Sequence, residues 1–505
     1  ADLPVGNLGA ALRGMVTGLS VSGGMTRPGT QASLTIRSPF TLSKDRGNNA
    51  PLYVIDDVIQ VDPYTGLPDE EAFNNLDPSE IESIVVLKDA AAAIYGARAS
   101  QGAVVVTTKR GKEGVPRVSY SGLYGWNDAT CVPDVLNAYE YGLWMNTLNG
   151  IHGANRDVNN KRNFFQPDEL EEMKHLNYNW LDKAWRAGWN MRHTVNVSGG
   201  SERATYFGSA TYYTQDGNLG RLDYDKWTFR AGVDVKLTSN FKVGIQLSGD
   251  NTDMTSAFNK IGGESNDIDY QMLLGMPRHI PWEIDGQYVS LMMNPWTYPG
   301  KNANSLSSSN YFQMQNSGAY KKNGKAGYSI NLNAQYDVPF VKGLSLKGSY
   351  AKTYSMDDYE QIGTAYTLLR PTKLGGSGEH LYTSPDSEFV EDKITRNGNR
   401  FLYDKAFTQR SQMNLFVLYD RTFGKHNISG MFTVEKSEGE WKKTRLNKEG
   451  PLDVNNGLTN TATGKVDGQT EKKEMGTLSY LGRISYSYAD KYLAQFVFRT
   501  DACTK

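Results

Sequence analysis

The feature that most constrains the fold is a regular alternation of apolar and polar residues after the first quarter of the chain. Between Trp227 and Leu237, every second side chain is apolar or small, and the side chains between them are mostly polar or charged. After a tight turn, the same pattern continues from Phe241 to Leu247. Because successive side chains of a strand point to opposite faces, this pattern predicts strands with one apolar and one polar face.

The lengths of the connections between these strands alternate as well, with short and longer connections following each other strictly. A bacterial outer-membrane barrel has this arrangement because its periplasmic turns are short and its extracellular loops are long. A soluble β-sandwich also has alternating strands, but it has no reason to place every long loop at one end. The predicted strands lie near residues 116–126, 191–198, 204–215, 226–237, 241–250, 325–337, 344–355, 407–422, 427–437, 476–489 and 491–500. The predicted long extracellular loops are residues 127–190, 251–324, 356–406 and 438–475.

Composition agrees with a membrane barrel. The sequence has no apolar run of about 18 residues, which excludes a transmembrane helix on length. The 30 tyrosines and 51 glycines suit the aromatic girdles, bulges and turns of a barrel. The net charge of −1 gives no reason to expect nucleic acid as a partner. In a barrel, the alternation directs Trp227, Phe229, Val233, Val235 and Leu237 toward outer-membrane lipid, and Arg230, Asp234 and Lys236 toward the lumen.

The beginning of the chain follows a different pattern, with short apolar runs separated by Gly, Pro and Asp. The predicted elements are strands at residues 52–55, 84–87 and 103–108 and a short Ala-rich helix at residues 88–95. Gly96 lies where the helix would end in a left-handed conformation. We therefore predict a small α+β domain at residues 1–115 and the beginning of a barrel domain at residues 116–505.

Several N-terminal segments resemble one protein family. Residues 50–58, with the sequence APLYVIDDV, resemble the PLYVIDGV segment of the SusC/RagA family of TonB-dependent outer-membrane transporters. Residues 76–112 are similar to the plug domain of that family almost position by position. The other matching segments are residues 12–21, 33–38, 490–493 and 499–501.

Two positions depart from the family pattern. The family usually has Gly where this chain has Ser38 and Asp57. Both positions are predicted to lie in turns, which tolerate Ser and Asp but form more easily with Gly. The departures leave the resemblance intact and leave the local backbone path open.

The resemblance implies an N-terminal α+β plug inside an antiparallel membrane β-barrel of about twenty-two strands. About eleven strands are predicted here, so we expect this chain to hold the plug and the first half of the barrel. An open sheet edge in lipid leaves backbone groups unpaired, so we expect further strands to close the barrel. Family members also carry a small β-sandwich domain and a TonB-binding segment before the plug, and nothing in this sequence resembles either.

The resemblance also implies a function, which is TonB-dependent import of a large solute across the bacterial outer membrane. Displacement of the plug would open the lumen. The implied protein partners are TonB in the inner membrane and a SusD-like surface lipoprotein. We predict an oligosaccharide as the substrate, with a peptide as the alternative. A surface receptor or adhesin without transport and a soluble carbohydrate-binding β protein are the interpretations from other classes.

Two groups of residues are candidates for functional contacts. Arg98, Lys109 and Arg110 could form ion pairs between plug and barrel wall, or they could cap helix and strand ends at the domain surface. Aromatic residues of the loop 251–324 could stack on sugar rings or contact a peptide, or they could pack at the barrel rim. These aromatic residues are Trp282, Tyr288, Trp296 and Tyr298.

No motif predicts an enzyme, a cofactor or a metal site. The sequence contains no GxSxG, GxxxxGK[ST] or HExxH motif. The six histidines are scattered at no ligand spacing, and the two cysteines are far apart. Asp267 and Asp269 could begin a Ca²⁺ site, but without an EF-hand loop a solvated acidic loop is the simpler interpretation.

Overall fold

The computed structural model contains two main sheets and a layer of loops. A four-stranded mixed sheet near the N-terminus lies against the polar face of an eleven-stranded antiparallel sheet, here called the wall. Helices and short strands inserted between the long strands form the loop layer at one end of the wall. The described residues are 6–24, 27–36, 49–152, 157–161, 163–258, 267–290, 309–395, 398–452, 458–489 and 491–504.

The N-terminal domain is built around continuous apolar strands, which lie where they were predicted. Its elements are α1 (Leu8–Ala11), β1 (Leu19–Gly23), β2 (Ala32–Ile36), β3 (Leu52–Ile55), β4 (Val58–Gln60), α2 (Glu70–Asn74), β5 (Ile81–Leu87) and β6 (Ala103–Thr108), with 3₁₀ helices at Pro78–Glu80, Asp89–Tyr95 and Ala97–Ala99. The main sheet has the order β4-β3-β6-β5, with β3 parallel to β6. Tyr53, Phe73 and Val104 are fully buried in its core.

Gly96 is required by both conformation and space. The Ala-rich segment predicted as a helix forms the 3₁₀ helix Asp89–Tyr95, and Gly96 follows it with a φ of +76°. That left-handed conformation is the one expected at this position. A Cβ at Gly96 would also lie 2.5 Å from Asp501 Oδ2 on the wall. The helix end and the close approach to the wall therefore both favour glycine.

The wall contains all of the predicted long strands. They are β7 (Gly114–Asn127), β8 (Gly188–Gly200), β9 (Ala204–Asp216), β10 (Leu222–Lys236), β11 (Phe241–Ala257), β14 (Tyr320–Asp337), β15 (Leu344–Gly363), β18 (Arg400–Phe423), β19 (His426–Glu449), β20 (Val466–Tyr488) and β21 (Tyr492–Thr504). The loop strands are β12 (Glu283–Ile284), β13 (Gln287–Tyr288), β16 (Tyr366–Lys373) and β17 (Glu388–Ile394). Within the described residues, β7 and β21 each pair on one side only, so both edges of the wall are open.

The two faces of the wall differ in polarity as the alternation predicted. Trp227, Phe229 and Leu237 are 55%, 52% and 57% exposed on the outer face. Arg230, on the same strand, is only 7% exposed and faces the N-terminal domain. Lys236 lies at the strand end, where its Nζ is 3.3 Å from Glu113 Oε1. The polar face is therefore covered by protein at Arg230, and the apolar face is left for a nonpolar environment.

Several wall strands extend farther toward the loop layer than the segments in which apolar and polar residues alternate. β15 and β19 extend to Gly363 and Glu449, which shortens the predicted loops 356–406 and 438–475. The loop predicted at 251–324 is shortened as well, since β11 continues to Ala257. In these extensions Ile362 of β15 and Phe401 of β18 are fully buried against Ala462 of a loop. The two strand faces therefore no longer separate lipid from lumen there, and the alternation that predicts a strand ends.

The loop layer has its own apolar core. Trp180, Ile280 and Tyr311 are each at most 3% exposed and pack together. The helices of the layer are α3 (Ala138–His152), α4 (Pro167–Met173), α5 (Trp180–Ala184), α6 (Asp267–Gly275) and α7 (Tyr311–Asn316), with a 3₁₀ helix at Thr459–Thr461. In the described ranges, no helix is long and apolar enough to cross a membrane.

Candidate functional site at the domain interface

The turn after β3 docks the N-terminal domain on the wall. Asp56 and Asp57 both have positive φ, at 49° and 67°. The carbonyl oxygen of Asp57 accepts hydrogen bonds of 3.1 Å from both Gln412 Nε2 and Asn414 Nδ2 of β18. The amide of Ile59 donates to Gln412 Oε1 at 2.9 Å. The sequence expectation of a turn at Asp57 is confirmed, whereas Ser38 lies outside the described residues.

Arg230 of β10 is buried between two carboxylates of the N-terminal domain. Its Nη1 lies 3.3 Å from Asp56 Oδ2, and its Nε lies 3.4 Å from Glu80 Oε2. The Ser209 hydroxyl donates to the other Glu80 oxygen at 2.8 Å. Burial raises the pKa of the Glu80 carboxyl, and Arg230 and Ser209 oppose that rise. Because all these groups are buried, loss of the guanidinium would leave two carboxylates without a counter-charge.

Three further cations of the wall pair with carboxylates of the same domain. Their side chains are more exposed than Arg230, so each pair is worth less than a buried one. Together with Arg230, these three cations meet the acidic segment that runs from Asp56 to Glu80, whereas Lys236 pairs with Glu113 outside that segment. The three pairs are Lys347–Asp57 at 2.5 Å, Lys325–Glu71 at 2.6 Å and Arg410–Asp69 at 2.9 Å.

The cations predicted to bridge the two domains take three different positions. Arg98 Nη2 lies 2.8 Å from Glu435 Oε1 of β19, and Arg499 of β21 shares the same oxygen at 3.2 Å. Arg110 Nη1 lies 3.3 Å from Asp234 Oδ1 of β10. Lys109 donates its backbone amide to the Glu80 carbonyl at 2.7 Å, and its ammonium forms no ion pair within the described residues.

A cavity of about 760 Å³ lies between the acidic segment and the wall. Residues of the wall face it from β10, β11, β14, β15, β18 and β19. We call it the lumen cavity. Its volume falls within the range of about 300–1,000 Å³ that is typical of ligand sites.

Two aromatic rings meet at the edge of the lumen cavity. Tyr64, from the turn after β4, packs on Trp441 of β19 with ring centroids 4.3 Å apart. The ammonium of Lys473 lies 3.8 Å from the centroid of the Tyr64 ring. The Tyr64 carbonyl accepts a hydrogen bond from the same ammonium at 3.2 Å. The N-terminal domain and the wall thus form an aromatic contact in a position that a solute can reach.

The structure places two of the predicted loop aromatics in the loop layer. Trp282 packs on Tyr178 and Phe312, with ring centroids 5.3 and 5.8 Å apart. The Tyr288 hydroxyl accepts a hydrogen bond from Asn316 Nδ2. Both side chains are only partly exposed. Trp296 and Tyr298 lie outside the described residues.

Two histidines of the loop layer are buried, one beside a carboxylate and the other between aromatic rings. His380 Nδ1 lies 2.9 Å from Glu169 Oε2, and the backbone amide of His380 donates to the other oxygen at 2.9 Å. His279 is packed between the rings of Tyr141 and Phe165. Burial and the nearby His380 lower the pKa of His279 to about 3. Among the described residues, no three His, Cys, Asp or Glu side chains are arranged to hold a metal ion.

Sequence reasoning placed Arg230 toward the lumen but missed most of the other residues that line the lumen cavity. Tyr64 stands in a short turn and Trp441 in a strand, and they are far apart in the chain. One usable signal was the sequence DPYTGLPDEE at residues 62–71, which lies within the acidic segment. Another was the charge of Lys325 and Arg410 on the polar side of strands that were otherwise correctly predicted. Only the pairing of the two domains brings these groups together.

The N-terminal domain matches a known family model, and the whole chain is similar to known receptors. Residues 1–103 match a family model described as the TonB-dependent Receptor Plug Domain. The TonB-dependent receptor SusC of Bacteroides thetaiotaomicron is 25% identical over 507 residues, which cover 98% of this chain and 45% of that protein. The TonB-dependent receptor P3 of Formosa agariphila is 25% identical over 504 residues, covering 97% of this chain and 43% of that protein.

The fold is also found among solved structures. A chain from the structure of the RagAB peptide transporter superposes with a TM-score of 0.73 at 19% identity. The superposition covers 100% of this chain and 54% of that one. The chain therefore spans about half the length of the relatives it matches.

Proposed function

We propose that the protein imports a large solute across the bacterial outer membrane, since this chain is the plug domain and part of the outer-membrane β-barrel of a SusC/RagA-type TonB-dependent receptor. Its relatives are receptors rather than enzymes, as the sequence predicted. The activity, solute and partners of the whole protein are parts of the proposal, because the chain spans about half of those relatives.

The observation that carries the proposal is the difference between the inside of the plug and its contact with the wall. The two main apolar clusters of the plug consist of plug residues, with Met475 as the wall residue packed against them. Its contacts to the wall include many ion pairs and hydrogen bonds, such as those of Arg230, Arg410 and Gln412. Water can replace polar contacts of this kind at small net cost, so a pull can move the plug without opening its core.

Two protein partners complete the mechanism. The outer membrane has no ATP, so the work of moving the plug has to come from elsewhere, and we assign it to TonB. We assign capture of the solute to a SusD-like surface lipoprotein resting on the loop layer. The apolar core of that layer, with Trp180 and Ile280 at its centre, supports the assignment because it makes a firm rim on which a lid can rest.

The solute is proposed to be an oligosaccharide, with a peptide as the second candidate. The Tyr64–Trp441 contact supports the choice, since aromatic faces at the edge of a cavity can stack on the apolar faces of sugar rings. We also propose that loop aromatics contact the solute before it reaches the cavity. These loop residues are Trp282, Tyr288, Trp296 and Tyr298.

Uptake in a TonB-deficient strain tests the proposal. Cells that carry the protein should take up labelled oligosaccharides or peptides, and deletion of TonB should abolish uptake while leaving surface binding intact. Uptake that persists without TonB would contradict the mechanism. Surface binding that is never followed by uptake in either strain would favour a receptor or adhesin.

A further inference from the structure

The lumen cavity carries more negative than positive groups. Eight carboxylates and three cations line it. The carboxylates belong to Asp56, Asp62, Asp69, Glu70, Glu71, Glu80, Asp250 and Asp357, and the cations belong to Arg230, Lys325 and Arg410. Each cation is already paired with at least one of these carboxylates. The cavity therefore has no spare positive charge to offer a solute.

Three carboxylates of the cavity form no ion pair within the described residues, although Asp250 is attracted by the buried ammonium of Lys226. Glu70 accepts a hydrogen bond of 3.1 Å from the Ser33 hydroxyl. Asp250 accepts one of 3.1 Å from Asn75 Nδ2. Asp62 accepts hydrogen bonds from its own turn, at 2.9 and 2.8 Å. Neutral donors stabilise a carboxylate less than a counter-charge does, so these groups retain most of their attraction for a cation.

The carboxylates at the start of α2 lie in surroundings that disfavour their charged form. Burial raises the pKa of Glu70, and neighbouring Asp69 adds to the rise. Burial also raises the pKa of Glu71, and the attraction of Lys325 does not cancel the rise. A cation that entered the cavity would stabilise the charged form of both groups.

An independent observation points to a bound solute at the same place. Thr228 on β10 lines the cavity and is only 6% exposed. Its hydroxyl makes no hydrogen bond to any other described residue. Buried hydroxyl groups normally have a hydrogen-bond partner. The unpaired hydroxyl of a residue that lines the cavity therefore marks a place where a bound ligand or water can supply that partner.

The excess of negative charge is local to the cavity. Nearer the loop layer, Lys443 and Arg445 of β19 share the single carboxylate of Asp404. The aromatic contact of Tyr64 with Trp441 lies at the edge of the cavity and already holds the ammonium of Lys473. Aromatic faces and carboxylates together favour ammonium groups.

From these observations, and resting on the import function proposed above, we infer that the lumen cavity selects a solute that carries protonated amines. Basic peptides and amino-sugar oligosaccharides share this chemistry. Solutes that carry carboxylate or sulfate groups are disfavoured, because the carboxyl groups that line the cavity outnumber its cations. The plug contributes more of these carboxylates than the wall, so displacement of the plug would also weaken the site and release the solute inward.

Binding of matched ligands to the purified protein in detergent, in its native length, tests the inference. A lysine tetrapeptide is compared with its side-chain-acetylated form, and a glucosamine tetrasaccharide with its N-acetylated form. In at least one of the two series, the amine ligand should bind about tenfold more tightly, and added salt should reduce the difference. The series in which the difference appears identifies the source of the amine. Equal or tighter binding of both acetylated forms would overturn the inference.

Variants locate the effect in the cavity. Glu70→Gln and Asp250→Asn should each weaken amine binding about three- to tenfold with little change for the acetylated ligands. Asp358→Asn is the matched control, since Asp358 lies next to Asp357 on the opposite face of β15 and pairs with Lys405 at 3.2 Å. It should leave binding unchanged. An equal effect of Asp250→Asn and Asp358→Asn would contradict the assignment.

Failure of this inference is separable from failure of the import function. TonB-dependent uptake of neutral or acidic solutes, with no preference for amines, would overturn the charge selection and leave import standing. Amine-selective binding without TonB-dependent uptake would support the cavity assignment and overturn import.

Discussion

The plug and the wall bury their side chains in opposite ways. In the plug, Tyr53, Phe73 and Val104 are completely withdrawn from solvent. In the wall, large apolar side chains such as Trp227 and Phe498 remain 55% and 57% exposed. The plug is stabilised by its own interior, whereas the wall needs lipid on one face and the plug on the other. This difference agrees with the proposal that the plug fills a barrel and is moved during import.

The interface between them combines burial with charge. Its strongest contact, Arg230 with Asp56 and Glu80, is buried like a core residue but is made of charges. Contacts such as Lys347 with Asp57 are partly exposed and open to water. Removal of one partner from the buried ion pairs of Arg230 should therefore cost much more stability than removal of a partner from an exposed pair such as Lys347 with Asp57.

The largest effect on stability is expected for a substitution that removes a large side chain from the plug core. Phe73→Ala should destabilise the plug by about 3–5 kcal/mol, since Phe73 is fully buried. Hydrogen exchange should rise throughout the plug while heat unfolding of the barrel in detergent stays nearly unchanged. Trp227→Ala, on the lipid-facing side of the wall, is the control and should leave plug exchange unaltered. If plug and barrel lose stability together in Phe73→Ala, they are a single unit and the comparison fails.

Arg230→Ala should have the next largest effect, on docking rather than on folding. It leaves the carboxylates of Asp56 and Glu80 buried without a counter-charge, which should cost about 3–5 kcal/mol. Lys347→Ala should cost at most about 1 kcal/mol, because the side chains of that pair are one-third to one-half exposed. Protease access to the plug in membranes measures the difference. Equal protease access in the two variants would show that burial does not set the strength of these contacts.

A charge on the outer face tests the wall itself. Val233→Arg places a cation toward lipid and should cost the barrel about 2–4 kcal/mol at mid-membrane depth. Lys236→Ala should cost far less, since Lys236 is exposed at the end of the strand. Heat stability of the intact barrel measures both effects. Similar shifts for the two variants would mean that the outer face does not contact lipid.

The smallest effect is a pH dependence of the loop layer, which has a core like that of the plug. His279 stays neutral there because its pKa is lowered to about 3, whereas an unfolded histidine gains a proton below about pH 6.5. Protonation then favours the unfolded loop, so stability should fall as the pH falls. The loss from pH 7 to pH 5 should be about 2 kcal/mol.

Hydrogen exchange of the loop layer near Ile280, compared with that of the plug core, measures this loss. His279→Phe removes the titrating ring and should flatten the pH dependence, although the neighbouring His380–Glu169 contact remains. An unchanged pH dependence in that variant would assign the effect to His380 and Glu169 instead.

The sequence by itself determined the strands, the two faces of the wall and the family. Period-two alternation from Trp227 to Leu237 follows from the geometry of any strand between lipid and water, so it can be read without a structure. The apolar runs of the plug and the left-handed Gly96 are equally local. The resemblance is local as well: residues 76–112 are similar to the family plug at almost every position, and the plug family model matches residues 1–103.

Tertiary structure alone decided which side chains meet. Arg230 lies 150 residues from Glu80 along the chain, and no local pattern relates the two. Tyr64 and Trp441 become neighbours only when the plug docks on β19. The strand ends at the loop layer were also missed, since contacts such as that of Ile362 with Ala462 replace the lipid and lumen faces from which the alternation arises. Local sequence sets the conformation of each strand, whereas register and docking set the contacts between distant strands, and those contacts make the cavity and the interface.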